Sequence, residues 1–122
     1  MQLSETWRLR LCAAAAFLAG VCAAAVVSYA AVETHTAKAT IDNFTFAPAR
    51  LTVPVGTTVT WLNEDDIPHT VAATNRQFKS KALDTDDSFA FTFTVPGTYE
   101  YFCSLHPHMT GTVVVVPEGA AN

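Results

Sequence analysis

After residue 31 the chain alternates apolar and polar positions in short runs and carries no helical periodicity. "TVTWL" sets Val59 and Trp61 on one face. "FAFTFTV" sets Phe89, Phe91, Phe93 and Val95 on one face and Ala90, Thr92 and Thr94 on the other, while "TYEYFC" aligns Tyr99, Tyr101 and Cys103. A period of two belongs to strands with one buried face. Pro48, Pro54 with Gly56, Pro68, Pro96 with Gly97, and Gly111 separate the runs as turns. Short strands spaced this way, from "ATIDNFTF" to "GTVVVV", predict an all-β fold, a two-sheet antiparallel sandwich. If Tyr99 and Tyr101 face the core, so does Cys103, at the end of its strand and just before "SLHPHM".

Residues 1–30 follow another pattern. "MQLSETWRLR" is a short polar head with Arg8 and Arg10, "LCAAAAFLAGVCAAAVV" is an unbroken apolar run, and "SYA" places small residues where a signal peptidase reads. This segment reads as a secretory signal peptide cleaved after Ala30, which leaves 31–122 as one domain. The competing reading is an uncleaved anchor, because the apolar run is close to the lower limit of about 17 residues for a membrane span. Its Ala-rich content favours cleavage and no stable membrane association afterwards. A lipoprotein signal would need a small residue before Cys22, and Val21 stands there.

Cleavage changes the cysteine count. Of three cysteines, Cys12 and Cys22 lie in the leader, so Cys103 is left without an intramolecular partner. An exported lone thiol is either a buried, inert side chain or a metal ligand. The chain is mildly acidic, with 11 Asp and Glu against 7 Lys and Arg. Glu64, Asp65 and Asp66 form one cluster and Asp84, Asp86 and Asp87 another, so nucleic acid is not an expected partner.

"CSLHPHM" gathers a thiol, two imidazoles and a thioether. Cys103, His106 and Met109 fall three residues apart in turn, so a tight loop stiffened by Pro107 aims all three at one point. A further ligand has to come from elsewhere, and the candidate is His69 in "NEDDIPHTV", otherwise an ordinary turn residue. Zinc sites prefer further Cys, His or carboxylate to a thioether, whereas His, His and Cys with a weak Met suit copper. No Gly-rich phosphate loop, paired carboxylates or hydrolytic triad competes, so no enzymatic activity is expected.

Three stretches, "VTWLNEDDIPHTV", "GTYEYFCSLHPHM" and "GTVVVV", resemble the cupredoxin superfamily, and within it the amicyanin and plastocyanin branch of small type 1 (blue) copper proteins. The short ligand loop is that of amicyanin-like members. The resemblance implies a Greek-key sandwich with one copper ion at one end, His69, Cys103 and His106 as equatorial ligands and Met109 as the axial one. It implies a monomeric one-electron carrier in the periplasm, serving redox partner proteins of dehydrogenase or cytochrome type. The alternative on the same ligands is copper delivery or storage; the Cys favours the carrier, since extracytosolic trafficking sites often rely on exposed Met and His. Two positions depart from the family pattern. Thr70 stands where Asn usually bridges the ligand loops, and its hydroxyl can make part of that bridge, to Ser104. His108 stands where an apolar residue is usual, and reads as a surface residue, a partner contact or a second weak metal site.

Overall fold

The computed structural model describes residues 20, 24–29, 31 and 33–120. The expected leader over 1–30 therefore lies largely outside the described residues. Among the described residues no helix is long and apolar enough to cross a membrane.

Eight strands follow one another in the body that begins at Ala31: β1 (Thr36–Asp42), β2 (Thr45–Ala47), β3 (Arg50–Pro54), β4 (Thr58–Asn63), β5 (Ala72–Ala73), β6 (Ser88–Thr92), β7 (Gly97–Phe102) and β8 (Thr110–Val116). They form two four-stranded sheets, ordered β2-β1-β4-β6 and β3-β8-β7-β5. The sandwich is as expected, but its sheets are mixed rather than antiparallel throughout. β1 runs parallel to β4, with Ile41 opposite Asn63, and β3 runs parallel to β8, with Val53 opposite Val115. Alternation fixes which face of a strand is buried but not which neighbour it pairs with, so these parallel pairs leave no local trace.

The inward faces fill one core. Val59 and Trp61 of β4, Tyr99 and Tyr101 of β7, and Val113 and Val115 of β8 are buried, as the alternation requires. Trp61 stands at the centre, against Phe78 and Phe89 at ring separations of 5.8 and 5.9 Å and edge-on to Tyr101 at 5.3 Å. Each such side chain contributes about 1.5–3 kcal/mol of burial. The face expected over "FAFTFTV" holds only in part. Phe93 is buried and Phe89 and Phe91 are half-buried, but Val95 is 61% exposed, because β6 ends at Thr92 and the chain turns before it.

"ATIDNFTF" is not one strand but a hairpin. Asp42 pairs with Thr45, and the two residues between them, Asn43 and Phe44, both have positive φ, 48° and 57°. That is the pattern of a type I′ turn, which Gly usually completes at the second position. A bulky residue there costs about 1–2 kcal/mol. The hairpin tip, the loop after β4 and the loop between β7 and β8 converge, and the site lies among them.

Candidate metal centre

β7 delivers Cys103 fully buried, one residue past the strand end. From there the chain makes two consecutive tight turns: the amide of His106 donates to the carbonyl of Cys103 at 3.2 Å, and that of Met109 to the carbonyl of His106 at 2.9 Å. The amide of Cys103 closes the loop on the carbonyl of Met109 at 3.0 Å. Each turn spans three residues, which is why the three-residue spacing brings the side chains of Cys103, His106 and Met109 to one side.

His69 arrives from the loop after β4. It is fully buried, and its backbone exchanges hydrogen bonds with Leu83, N to O at 3.1 Å and O to N at 2.7 Å, so this segment is pinned like a strand. The Nδ1 atoms of His69 and His106 lie 3.7 and 3.6 Å from Cys103 Sγ. The donor atoms of the three residues all fall within 4.8 Å of one another. Two bonds of about 2.0–2.3 Å, at an angle between tetrahedral and trigonal, would separate nitrogen from sulfur by about 3.6–3.8 Å, so the triad fits a first-row metal ion. Met109, also buried, lies beside it, and with Phe44, His106, Pro107 and His108 it lines a surface hollow at this end.

Electrostatics favour the ligand form of the thiol. Burial by itself would raise the Cys103 pKa; the Thr70 amide, the imidazoles of His69 and His106 and the Leu105 amide outweigh it and bring it from 9.0 down to about 6. Sγ accepts from the Thr70 amide at 3.3 Å. The expected bridge between the ligand loops is present. Thr70 Oγ1 lies 2.7 Å from Ser104 Oγ and accepts from the Ser104 amide at 2.7 Å. A threonine thus supplies both halves of the link, its amide to the sulfur and its hydroxyl to the next residue.

Two residues of the site escape a reading of the sequence. Asp65, which the sequence gives only as one member of an acidic cluster, is buried, with Oδ2 2.8 Å from His69 Nε2. The same oxygen accepts the Phe44 amide at 3.1 Å. That amide, the His69 ring and the Asp66 amide hold the Asp65 carboxyl below its ordinary range, against the opposing effect of burial. An ionised carboxylate can only accept, so Nε2 of His69 carries the proton and Nδ1 presents its lone pair toward Cys103. The i, i+4 spacing of Asp65 and His69 was the available signal. The other residue is Phe44, whose ring stands edge-on to His69 at 5.5 Å and to His106 at 5.0 Å. It gave no signal, since an apolar residue in a β run reads as core.

His108 is exposed, at the rim of the hollow. Elsewhere among the described residues, Glu33, His35 and Glu118 gather on the surface, with His35 Nε2 3.4 Å from Glu118 and 3.9 Å from Glu33. This group lacks a thiol and is open to solvent, where pairs of this kind contribute little.

Known proteins carry the same plan. The family model described as "Cupredoxin-like domain" matches residues 11–115. The amicyanin of Paracoccus denitrificans is 31% identical over 125 residues, covering 88% of this chain and 95% of that protein. The amicyanin of Paracoccus versutus is 34% identical over 80 residues, covering 62% of this chain, and the chain spans 61% of that relative's length. Among solved structures, a "Novel Purple Cupredoxin from Nitrosopumilus maritimus" superposes with a TM-score of 0.63 at 37% identity, over 66% of this chain and 99% of the other. With the family model spanning most of its length and the donor triad in place, the chain belongs to the cupredoxin-like family of small blue copper proteins.

Proposed function

We propose that His69, Cys103, His106 and Met109 hold one copper ion and that the protein is an exported one-electron carrier. The observation that carries this reading is the convergence of buried His69 and Cys103 with half-buried His106, around a thiol whose pKa is brought down to about 6. A thiolate is a soft donor that suits copper, and two neutral imidazoles complete a set on which zinc would ordinarily find another Cys, His or carboxylate. When bound, the copper supplies a Cu(II)/Cu(I) couple that takes up and releases single electrons.

The protein's part is to keep the donors where they are in both oxidation states. Cys103 is fixed by its strand and by the Thr70 amide, His69 by Asp65 and Leu83, and His106 by the two turns that flank it. Donors that need not move make electron exchange cheap in reorganisation. His106 is half-buried while Cys103 and His69 are fully buried, which makes its imidazole the natural port for electrons. Leu105, 52% exposed, and Pro107 border it as an apolar rim where a partner can exclude water.

Residues 1–30 serve as a cleaved secretory leader, and 31–122 work in the periplasm as a monomer. The partners are redox proteins of dehydrogenase or cytochrome type, and the protein transforms no substrate itself. Support comes from the charged head, apolar run and small-residue cleavage site of the leader. Copper delivery or storage uses the same donors, but burial of the thiol and of His69 argues against ready hand-over.

Adding Cu(II) to the mature protein tests the reading. A strong visible thiolate-to-copper absorption that bleaches reversibly with one electron equivalent is expected. A colourless protein that yields copper to a chelator within seconds would sink the carrier.

A further inference from the structure

Phe44 occupies a position that its residue type disfavours. It is the second central residue of the Asp42–Thr45 turn, at φ 57°, after Asn43 at φ 48°. Asn tolerates the left-handed region and Gly is the ordinary residue after it; a β-propensive aromatic is not. The backbone bond made there, from the Phe44 amide to Asp65 Oδ2 at 3.1 Å, would be available to any residue. Core packing does not account for the ring either, since Phe44 is 50% exposed and stands outside the core cluster. What the ring does touch is the pair of imidazoles, at interplanar angles of 90° to His69 and 86° to His106. Backbone strain kept at a site is a pointer to function.

We propose that Phe44 is a positioning residue of the metal centre: its ring, standing across both imidazoles, holds the half-buried His106 against rotation out of the site and so governs how long the metal is kept. His69 is already fixed by Asp65 and by Leu83, whereas the hydrogen bonds around His106 are those of its backbone and a contact with the sulfur. Rotation of the His106 side chain about its own bonds is left for something else to restrain. Phe44 and His106 line one hollow with Pro107, His108 and Met109, and the edge-on Phe44 ring opposes a turn of the imidazole past it. Asp65 makes the device one unit, since the same carboxylate oxygen anchors the Phe44 backbone and the His69 imidazole.

The proposal rests on the metal reading, and the experiment separates the two. Wild type, F44G, F44L and F44Y are compared in three measurements: the Cu(II)-thiolate absorption, the rate of Zn(II) loss to excess EDTA, and the melting temperature without metal. F44G should keep the absorption and lose Zn(II) about tenfold faster, the scale of two edge-to-face contacts. Its metal-free melting temperature should hold, because Gly relieves the turn that Phe44 strains. F44L, which keeps bulk but not the ring, should release Zn(II) as fast as F44G, and F44Y should restore the wild-type rate. If F44G does not fold, F44L against F44Y carries the comparison. Wild-type release rates in F44G or F44L, with the absorption present, overturn the role of Phe44 alone. Absence of the absorption from wild type overturns the metal reading and this proposal together.

Discussion

Asp65 and His69 meet side chain to side chain, Oδ2 to Nε2 at 2.8 Å, on the far side of the imidazole from the Cys103 sulfur 3.7 Å from Nδ1. One carboxylate thereby fixes the ring's tautomer and orientation and places a negative charge one imidazole away from the site. Replacing it by a neutral isostere, Asp65→Asn, should weaken metal binding by about 10–100-fold. It should also raise the reduction potential, because removing a negative charge disfavours the more positive oxidised state. Competition titration with a chelator and voltammetry check the two halves; an unchanged affinity would reduce Asp65 to a turn-former.

Cys103→Ser removes the sulfur while leaving a side chain of similar size. Cu(II) added to that variant should give no thiolate charge-transfer absorption, since the donor orbital is gone. A variant that still colours would place the metal elsewhere.

Met109 is buried, so its ligand role and its packing role have to be separated. Met109→Leu conserves volume and should cost less than about 1.5 kcal/mol of metal-free stability. Met109→Gln should keep copper and colour but lower the potential, because a harder oxygen donor favours Cu(II). Urea unfolding and voltammetry report the two effects, and a potential indifferent to Gln would mean that Met109 only packs.

Gly111 faces Tyr101 across β7 and β8, and a Cβ on it would clash with the hydroxyl end of the Tyr101 ring. Gly111→Ala should therefore destabilise the domain by about 1–3 kcal/mol, as overpacking does. Tyr101 sits two residues before Cys103 on the same face, so the variant should also perturb the copper absorption. Denaturant unfolding at neutral pH reads the first effect.

Tyr101 also carries a pH signature. Burial raises its pKa above 10.0. The unfolded chain then releases this proton first, so above a pH of about 10 it binds fewer protons than the native state and stability falls as pH rises. Tyr101→Phe should flatten that fall. It also removes a buried hydroxyl that, like the Trp61 Nε1, lacks a hydrogen-bond partner among the described residues, so its cost at neutral pH should be small. A drop above pH 10 as steep in the variant as in wild type would assign the alkaline transition to other groups.

The sequence by itself determined what depends on local order. Strict alternation placed Val59, Trp61, Tyr99, Tyr101 and Cys103 on buried faces, because side chains of a strand point to opposite sides in turn. The Cys103, His106, Met109 spacing was legible because each ligand pair spans a single tight turn, a relationship three residues long. The Thr70 link to Ser104 was legible once the two ligand loops were paired. What only the tertiary structure decided are the relationships between distant segments. The parallel partners β1 with β4 and β3 with β8 depend on how the chain crosses between sheets, and alternation is blind to that choice. Asp65 was legible only as one acid of a cluster; burial against His69 and the Phe44 amide, 21 residues away, made it part of the site. Phe44 was one unmarked apolar residue of a β run, and a backbone turned into the left-handed region carried its ring over the imidazoles. Local pattern specifies which face a residue presents, whereas the neighbour waiting there is set by chain closure over long separations, and for these residues that neighbour is the functional site.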